Sequence, residues 1–448
     1  MSHLEELTGY HGSALERLKK YSISIGDQVS INVTGKEYSG SLLPRYEHSD
    51  DKHIVVKLSS GYNIGIAISK IISISKIADG SKPRFKPPPI PEIDPSLPKV
   101  SILGTGGTIA SRIDYKTGAV HPAFSAEEIY SIIPDLSRYA EIEADVVFNL
   151  ASENMRSQEW SKLAESIFEK IRSGVAGVVI GHGTDTMAYT SAALSFALMG
   201  TPVPIILVGS QRSTDRPSSD AALNMRAAVI LASKAEFTGV YLVMHSSMND
   251  DSVSIHSGTK VRKNHTSRRD AFESINASPV GYVRGENIEL SSNLPQRGTS
   301  KGFAPKTNFE EKVTLLKFNP GFDPTLIDTL REKGYRGLVL EGTGLGHVSS
   351  LCYQPIKKAI TDGMMIGMSS QCVWGRVRMT VYSTGRELLN LGVIPLDNML
   401  SEVALAKMMW VLGNYHDQNE AKKMMTTNLA GEIQERSLIE RGSPEIRE

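Results

Sequence analysis

The sequence has few cysteines, no long apolar run and no excess charge of either sign. Cys352 and Cys372 are the only two cysteines among 448 residues, too few for a disulfide framework and typical of proteins from a reducing cytosol. The first ten residues lack the apolar run of a secretory signal, and no stretch approaches the roughly 20 apolar residues of a membrane span. We therefore expect a soluble, cytoplasmic protein without membrane contact.

The charge balance argues against a dedicated nucleic-acid-binding protein. Lys and Arg together number 49, as do Asp and Glu, whereas such proteins usually carry a basic excess. The chain has no GxxxxGK[ST] phosphate-binding loop. No spacing around His182 or His245 indicates a metal site, so we expect both histidines to be structural and no metal to be bound. Neither cysteine lies in a nucleophile turn, so packing roles are expected for both.

The N-terminal part of the chain is predicted to form a small separate domain. Apolar and polar residues alternate around short turns in two runs, Val29–Ile31–Val33 and Ile64–Ile66–Ile68. Period two with short turns predicts a small antiparallel β-barrel over residues 1–81. Residues 82–98 are rich in proline and predict a semi-rigid linker.

After the linker the pattern becomes strand, loop, helix, repeated. Short apolar runs predict strands at 100–103, 144–150, 175–180, 204–208 and 240–244. Between them, Trp160, Leu163 and Ile167 lie on one stripe of a helix that Gly174 ends. Such alternation predicts an α/β domain with a parallel sheet over 99–290. A linker over 291–310, a smaller α/β domain over 311–425 and a tail over 426–448 complete the predicted order.

Polar residues follow three of the predicted strands, and ligands of parallel α/β sheets bind at such strand ends. The three segments are Gly104–Ala110, Ser152–Asn154 and Gly181–Thr186. Taken alone, the first segment resembles an imperfect dinucleotide-binding loop, in which Ile109 replaces the third glycine, or a simple tight turn. Each threonine alone is equally compatible with a helix N-cap.

Two of these segments together resemble the signatures of the L-asparaginase family. Thr105–Ala110 and His182–Met187 stand in the family's order, roughly 75 residues apart. A third segment, Gly258–Thr266, resembles the one that carries the family's catalytic lysine. The likeness extends from about Lys99 to Met425 and implies the two-lobed asparaginase α/β fold.

The resemblance implies a threonine nucleophile, Thr108, that attacks a side-chain amide. A second threonine, Thr184, is expected beside the catalytic lysine. By position that lysine is Lys263, and Lys260 is the competing candidate. A hydroxyl nucleophile needs such a base, because it is weak at its ordinary pKa.

The resemblance also implies residues that bind the substrate. Asp185 is expected to pair with the substrate α-ammonium, and Ser152 to hold its carboxylate. Glu153 occupies a neighbouring substrate-binding position. Tyr115 is a possible lid residue, although its offset from Thr108 does not match the family clearly.

The whole chain resembles the family of archaeal glutamyl-tRNA(Gln) amidotransferase D subunits more than free-standing asparaginases. The barrel, the proline linker and several further segments carry this likeness, among them Asp215–Arg226, Trp374–Val377 and Thr427–Ile433. The likeness implies hydrolysis of glutamine or asparagine without a cofactor in this chain. The ammonia passes to the E-type subunit of the amidotransferase, which binds Glu-tRNA(Gln) and uses ATP and Mg²⁺. It also implies a homodimer within a heterotetramer.

Two other interpretations remain open at this stage. One is a stand-alone L-asparaginase with an accessory barrel, and the other is a nucleotide-binding or scaffold protein without catalysis. The locally basic run from Lys260 to Arg269 is either a solvated loop with one buried lysine or a contact with the partner.

Overall fold

The chain forms nine α-helices and 21 strands within the part that the structure describes. A computed structural model describes residues 7, 9–45, 49–58, 63–79, 94–107, 111–113, 120–122, 129–130, 133–212, 218–291, 293–299 and 301–436, with the backbone alone at 111–113 and 120–122. The helices are α1 Gly12–Lys20, α2 Ser157–Arg172, α3 Met187–Ala197, α4 Ala221–Lys234, α5 Thr325–Glu332, α6 Tyr353–Thr361, α7 Ser383–Asn390, α8 Ser401–Asn414 and α9 Gln418–Thr426. None of these helices is both long enough and apolar enough to cross a membrane.

The N-terminal unit is an antiparallel sheet of five strands, and its antiparallel pairing agrees with the prediction from the alternating pattern. They are β1 Gln28–Val33, β2 Lys36–Leu42, β3 His53–Leu58, β4 Asn63–Ala67 and β5 Ile71–Ala78, in the order β4-β3-β2-β1-β5. The edge strands β4 and β5 are joined by a 3-10 helix of only three residues, Ile68–Lys70. The two edges of the sheet therefore approach each other at this end, as in a small barrel.

The first lobe is built on an eight-stranded sheet in the order β17-β16-β13-β12-β11-β10-β6-β9. Its strands from β9 to β12 in that order are parallel, and β13, β16 and β17 are antiparallel. The bounds are β6 Lys99–Gly104, β9 Glu141–Val146, β10 Gly177–Gly181, β11 Pro204–Val208, β12 Gly239–His245, β13 Val253–Ser257, β16 Gly281–Arg284 and β17 Asn287–Leu290. Two hairpins stand apart, β7 Ser111–Ile113 with β8 Val120–Pro122 and β14 Val261–Lys263 with β15 Phe272–Ser274.

The strand predicted over 144–150 lies earlier in the chain. β9 ends at Val146 because its pairing partner β6 ends at Gly104. The backbone N–H groups of Val147 and Phe148 both donate to the Gly104 carbonyl, so the chain turns there. The apolar residues after Val146 thus belong to a loop that packs on the core, and not to the sheet.

The second lobe is a parallel sheet of four strands in sequential order, β18 Val313–Lys317, β19 Gly337–Gly342, β20 Met365–Ser370 and β21 Ile394–Pro395. Its helix α8 packs against α3 of the first lobe, where Phe196 and Trp410 stack with ring centroids 5.9 Å apart. Residues of both lobes join one hydrophobic core. The α/β fold with two lobes and an N-terminal antiparallel unit, predicted from the sequence, is confirmed.

The described part of the tail is anchored by a buried ion pair. Glu432 lies 2.5 Å from Lys407 of α8, and neither side chain is exposed. Lys407 also donates to the carbonyls of Met425 and Thr427, so each ammonium hydrogen has an acceptor. The tail is therefore an integral part of the second lobe, at least to Glu432.

Candidate active site

Three neighbouring strands of the first lobe end at the same edge of the sheet. Val146 of β9 pairs with Gly104 of β6, which pairs with Gly181 of β10. Because these strands are parallel, the loops that follow them emerge side by side. The segments singled out in the sequence therefore lie next to one another.

Glycines allow these loops to touch. A Cβ at Gly107, whose φ is +88°, would lie 2.6 Å from the backbone nitrogen of Gly183. A Cβ at Gly183 would lie 2.8 Å from the Ser152 Cβ. Side chains at either position would force the loops apart, so glycine sets the backbone spacing at the site.

Lys263 reaches from β14 into this group of loops. Its Nζ lies 2.9 Å from the Thr184 Oγ1 and 2.7 Å from an Asp185 carboxylate oxygen. Only 11% of the Lys263 side chain is exposed, whereas 70% of the Asp185 side chain is. An amine, a hydroxyl and a solvent-facing carboxylate thus share one hydrogen-bonded cluster.

Lys260 lies elsewhere. Its Nζ is 3.5 Å from the Asn398 Oδ1 of the second lobe, and burial lowers the pKa of this amine to about 8. The structure therefore places Lys263, and not Lys260, beside Thr184. The catalytic role of Lys263 stays a prediction.

The two predicted substrate-binding residues lie on a short 3-10 helix, Ser152–Asn154. Ser152 is buried, and its carbonyl accepts a hydrogen bond of 2.7 Å from the Thr186 hydroxyl. Glu153 is exposed. Thr108 and Tyr115 lie outside the described residues.

A buried network that the sequence did not indicate supports the loop after β10. Burial lowers the pKa of His182 to about 4, so its imidazole is neutral at pH 7. Its Nδ1–H donates to the Gly183 carbonyl over 2.7 Å, and the Thr190 hydroxyl donates to its Nε2 over 2.9 Å. Trp160 donates in turn to the Thr190 oxygen. Hydrogen bonds through His182 therefore connect α2 and α3 to the loop, which agrees with the structural role expected for this histidine.

A second network holds the strand end behind Thr184. A Cβ at Gly209 would lie 2.7 Å from the Thr184 Cγ2. The Asn224 amide donates to the Gly209 carbonyl and to the Asp220 carboxylate, and its oxygen faces the Nδ1 of His245 at 2.7 Å. His245 is thus also part of a buried support.

No three His, Cys, Asp or Glu side chains of the described residues form a group that could hold a metal ion. Burial raises the pKa of the Cys352 thiol, which disfavours the thiolate that a cysteine nucleophile needs. Cys372 is exposed. Within the described residues, neither cysteine forms a hydrogen bond with Thr184, Asp185 or Lys263.

The basic run from Lys260 to Arg269 is largely neutralised within the chain. Arg262 pairs with Glu402 at 2.8 Å, Arg268 with Asp270 at 2.6 Å and Arg269 with Asp250 at 2.5 Å. These pairs favour a structural role for the run over a basic contact surface.

Comparison with known proteins gives the family. The model for "Asparaginase, N-terminal" matches residues 99–296, that for "Glutaminase/Asparaginase C-terminal domain" matches 312–425, and that for "GatD N-terminal domain" matches 23–77. Similar curated proteins are glutamyl-tRNA(Gln) amidotransferase D subunits, and that of Methanothermobacter thermautotrophicus is 48% identical over 96% of this chain and 98% of its own. The chain belongs to the family of glutamyl-tRNA(Gln) amidotransferase D subunits. The family predicted from the sequence is confirmed.

Other members of this family match over similar lengths. The protein of Methanopyrus kandleri is 47% identical over 96% of this chain and 95% of its own length, and that of Pyrococcus furiosus is 48% identical over 93% and 97%. Among solved structures, the thermostable L-asparaginase of Thermococcus kodakarensis aligns with a TM-score of 0.67 and 33% identity, covering 75% of this chain and all of that chain. L-asparaginase I of Vibrio cholerae aligns with a TM-score of 0.65 and 27% identity, over 76% of this chain and all of its own.

Proposed function

We propose that this chain hydrolyses the side-chain amide of glutamine or asparagine and supplies the ammonia to a partner subunit that converts Glu-tRNA(Gln) to Gln-tRNA(Gln). The observation that carries the hydrolytic part is the position of the Lys263 Nζ between the Thr184 hydroxyl and the Asp185 carboxylate. Membership of the family of D subunits, with the barrel and tail that accompany it, supports the amidotransferase role.

The proposed reaction has two stages at one threonine. The Thr108 hydroxyl adds to the amide carbon, and its proton passes to a base. The C–N bond then breaks with return of a proton to nitrogen, which leaves as ammonia, and an ester remains on Thr108. Water then attacks this ester and gives its proton to the base. The base returns the proton to the Thr108 oxygen as the ester C–O bond breaks and glutamate or aspartate is released.

Lys263 and Thr184 suit the proton transfers because they lie within hydrogen-bond distance of each other. In the free site the Asp185 carboxylate accepts a hydrogen bond from Lys263. The substrate α-ammonium would compete for this exposed carboxylate. Substrate binding would thus weaken the hydrogen bond between Lys263 and Asp185. The Lys263 amine would then be hydrogen-bonded mainly to Thr184 during the reaction.

The hydrolysis uses side chains of this chain and no cofactor in the proposed scheme. ATP and Mg²⁺ are assigned to the E-type partner, which activates the glutamyl group of the tRNA. We propose that two copies of this chain form a homodimer within the heterotetramer. The mostly neutralised basic run supports a tRNA that is held mainly by the partner.

The test measures two activities of the assembled complex, glutamine-dependent and ammonia-dependent formation of Gln-tRNA(Gln). Lys263→Met should lower the glutamine-dependent rate by at least about 10²-fold, the lower range for loss of an acid–base group. It should leave the ammonia-dependent rate unchanged, because free ammonia bypasses this site. Lys234→Met is the matched control, since this lysine is ion-paired with Glu286 in the same lobe but remote from the site.

The same assay separates the alternatives. Ammonia release from glutamine that needs the partner and Glu-tRNA(Gln) supports the amidotransferase role. Full hydrolysis by the chain alone, without stimulation by the partner or the tRNA, would instead identify a stand-alone asparaginase. The solved L-asparaginase of Thermococcus kodakarensis covers only 75% of this chain. Wild-type hydrolysis by Lys263→Met would refute the assignment of Lys263.

A further inference from the structure

Three side chains of the segment that leads into Lys263 contact the second lobe or the tail, whereas its backbone is hydrogen-bonded within the first lobe. The Thr259 hydroxyl donates to the Ala430 carbonyl of the tail over 2.9 Å. Lys260 faces Asn398, and Arg262 pairs with Glu402 of α8 at 2.8 Å. The next side chain, Lys263, forms a hydrogen bond with Thr184 in the first lobe.

The alternation follows from strand geometry. Arg262 and Lys263 are adjacent on β14, and adjacent side chains of a strand point to opposite sides. Fixing the Arg262 guanidinium on one side therefore fixes the direction of the Lys263 side chain on the other. Strand β14 has three residues and pairs with β15 within the described residues.

The Arg262–Glu402 pair lies where the lobes meet. Glu402 is buried, and burial raises the pKa of its carboxyl while the charge of Arg262 lowers it. Burial, together with the charge of Glu402, raises the pKa of Tyr189 in α3 to about 12. Helix α3 begins immediately after the loop that carries Thr184 and packs against α8, the helix of Glu402.

Both partners of the Lys263–Thr184 hydrogen bond are thus tied to the α3–α8 contact. Thr184 is tied through the start of α3, and Lys263 is tied through Arg262 to α8. A shift of one lobe against the other would change the Nζ–Oγ1 separation directly. Displacements of about 1 Å at a reacting group can cost about 10²-fold in rate.

We propose that Glu402 is a positioning residue for amide hydrolysis, which holds Lys263 on Thr184 through its ion pair with Arg262. This inference rests on the proposed function. The second lobe would then help to position a residue of the active site in the first lobe. A movement of one lobe against the other would change the rate of hydrolysis through the Arg262–Glu402 pair.

The experiment compares Glu402→Ala and Glu402→Gln with the wild type in the assembled complex. Glu402→Ala should lower kcat for glutamine hydrolysis between about tenfold and 10²-fold, change KM less than about threefold, and alter the pH profile of kcat, because the Lys263–Thr184 hydrogen bond then loses its fixed geometry. Glu402→Gln keeps an oxygen acceptor for Arg262 and should recover part of kcat. Ammonia-dependent amidation should remain at the wild-type rate in both variants.

Glu310→Ala is the matched control. Glu310 also pairs with an arginine at 2.8 Å, Arg336 of the second lobe, but it does not contact the segment before Lys263. It should lower the melting temperature without a change in the pH profile. An unchanged kcat and pH profile in Glu402→Ala, or the same loss of kcat in Glu310→Ala, would overturn the inference. Retained hydrolysis in Lys263→Met would instead overturn the proposed function beneath it.

Discussion

His182 and His256 are both fully buried in the first lobe, and burial lowers the pKa of each imidazole to about 4. The two side chains differ in their surroundings. His182 has hydrogen-bond partners at both ring nitrogens. His256 is hydrogen-bonded to Ser274 through Nδ1, and its Nε2 has no hydrogen-bond partner within the described residues. Neither residue has the ionisation needed for acid–base chemistry near pH 7, so both stabilise the fold as neutral groups.

These histidines predict that the protein loses stability in mild acid. The unfolded imidazole has a pKa of about 6.5, so the unfolded state binds more protons between about pH 6.5 and 4. The stability contribution is complete above pH 6.5 and is lost as the pH falls through this window, up to about 3 kcal/mol for each histidine. We expect the melting temperature to fall steeply from pH 7 to pH 4.5.

A substitution at His256 checks the cause of this loss. His256→Gln removes one titrating group, so its melting temperature should depend less on pH in this window than that of the wild type. The exposed His265 provides the control, and His265→Gln should keep the wild-type slope. Equal slopes in all three proteins would rule out His256 as a source of acid lability.

At the scale of elements, the segment predicted as a second linker is hydrogen-bonded to several other parts of the chain. The described residues of 291–310 form no helix or strand of their own, but Gln296 bridges to Phe237 and Lys306 accepts a hydrogen bond from the buried Trp410. Arg297 donates to the carbonyls of Ala232, Ser233 and Ala235 at the end of α4 and of Ala176 before β10. A cation at this position satisfies the carbonyls that every helix C-terminus leaves without partners.

Arg297→Ala should therefore destabilise the protein by about 1–3 kcal/mol, because it leaves several partly buried carbonyls without a donor. Urea denaturation would measure this as a lower midpoint. Arg172→Ala removes an arginine from an exposed pair with Glu169 and should cost less than about 1 kcal/mol. Similar midpoints for the two variants would show that 291–310 contributes little to stability.

The whole molecule combines units with different degrees of independence. The barrel has a hydrophobic core of its own, formed by residues such as Leu18, Ile31 and Ile54. The two lobes share a hydrophobic core in addition to a further core within each lobe. The buried Lys407–Glu432 pair joins the tail to the second lobe. The solved asparaginase of Thermococcus kodakarensis aligns over its full length with 75% of this chain, which suits lobes that fold without the barrel.

Two truncations test this organisation. Removal of residues 1–93 should leave the melting transition of the lobes and the basal hydrolysis of glutamine close to those of the full chain. Removal of residues 427–448 deletes Glu432 and leaves the Lys407 charge buried without its carboxylate, which should cost about 3–5 kcal/mol. Lys407→Met in the shortened chain should recover part of this loss. Comparable transitions for both truncations would contradict the proposed difference between barrel and tail.

The sequence alone determined the features that depend on local pattern. Alternating polarity identifies strands β1 and β4 of the barrel, and strand–helix alternation identifies the parallel sheet. Because parallel strands bring their carboxyl ends to one edge, the motif order also placed Ser152 and Thr184 at one site. The catalytic roles, including that of Thr108, come from the family resemblance.

The family resemblance favoured Lys263 over Lys260 by position, but only the tertiary structure shows where the two side chains lie. Both lysines stand in one basic segment, yet Lys260 faces Asn398 and Lys263 faces Thr184. The partners of His182 and Arg262 could not be predicted from the sequence either, because Thr190 and Glu402 are not part of any recognisable motif. The physical reason is that side-chain direction within a short strand is set by the lobe that packs on each side, and these contacts join residues far apart in the chain.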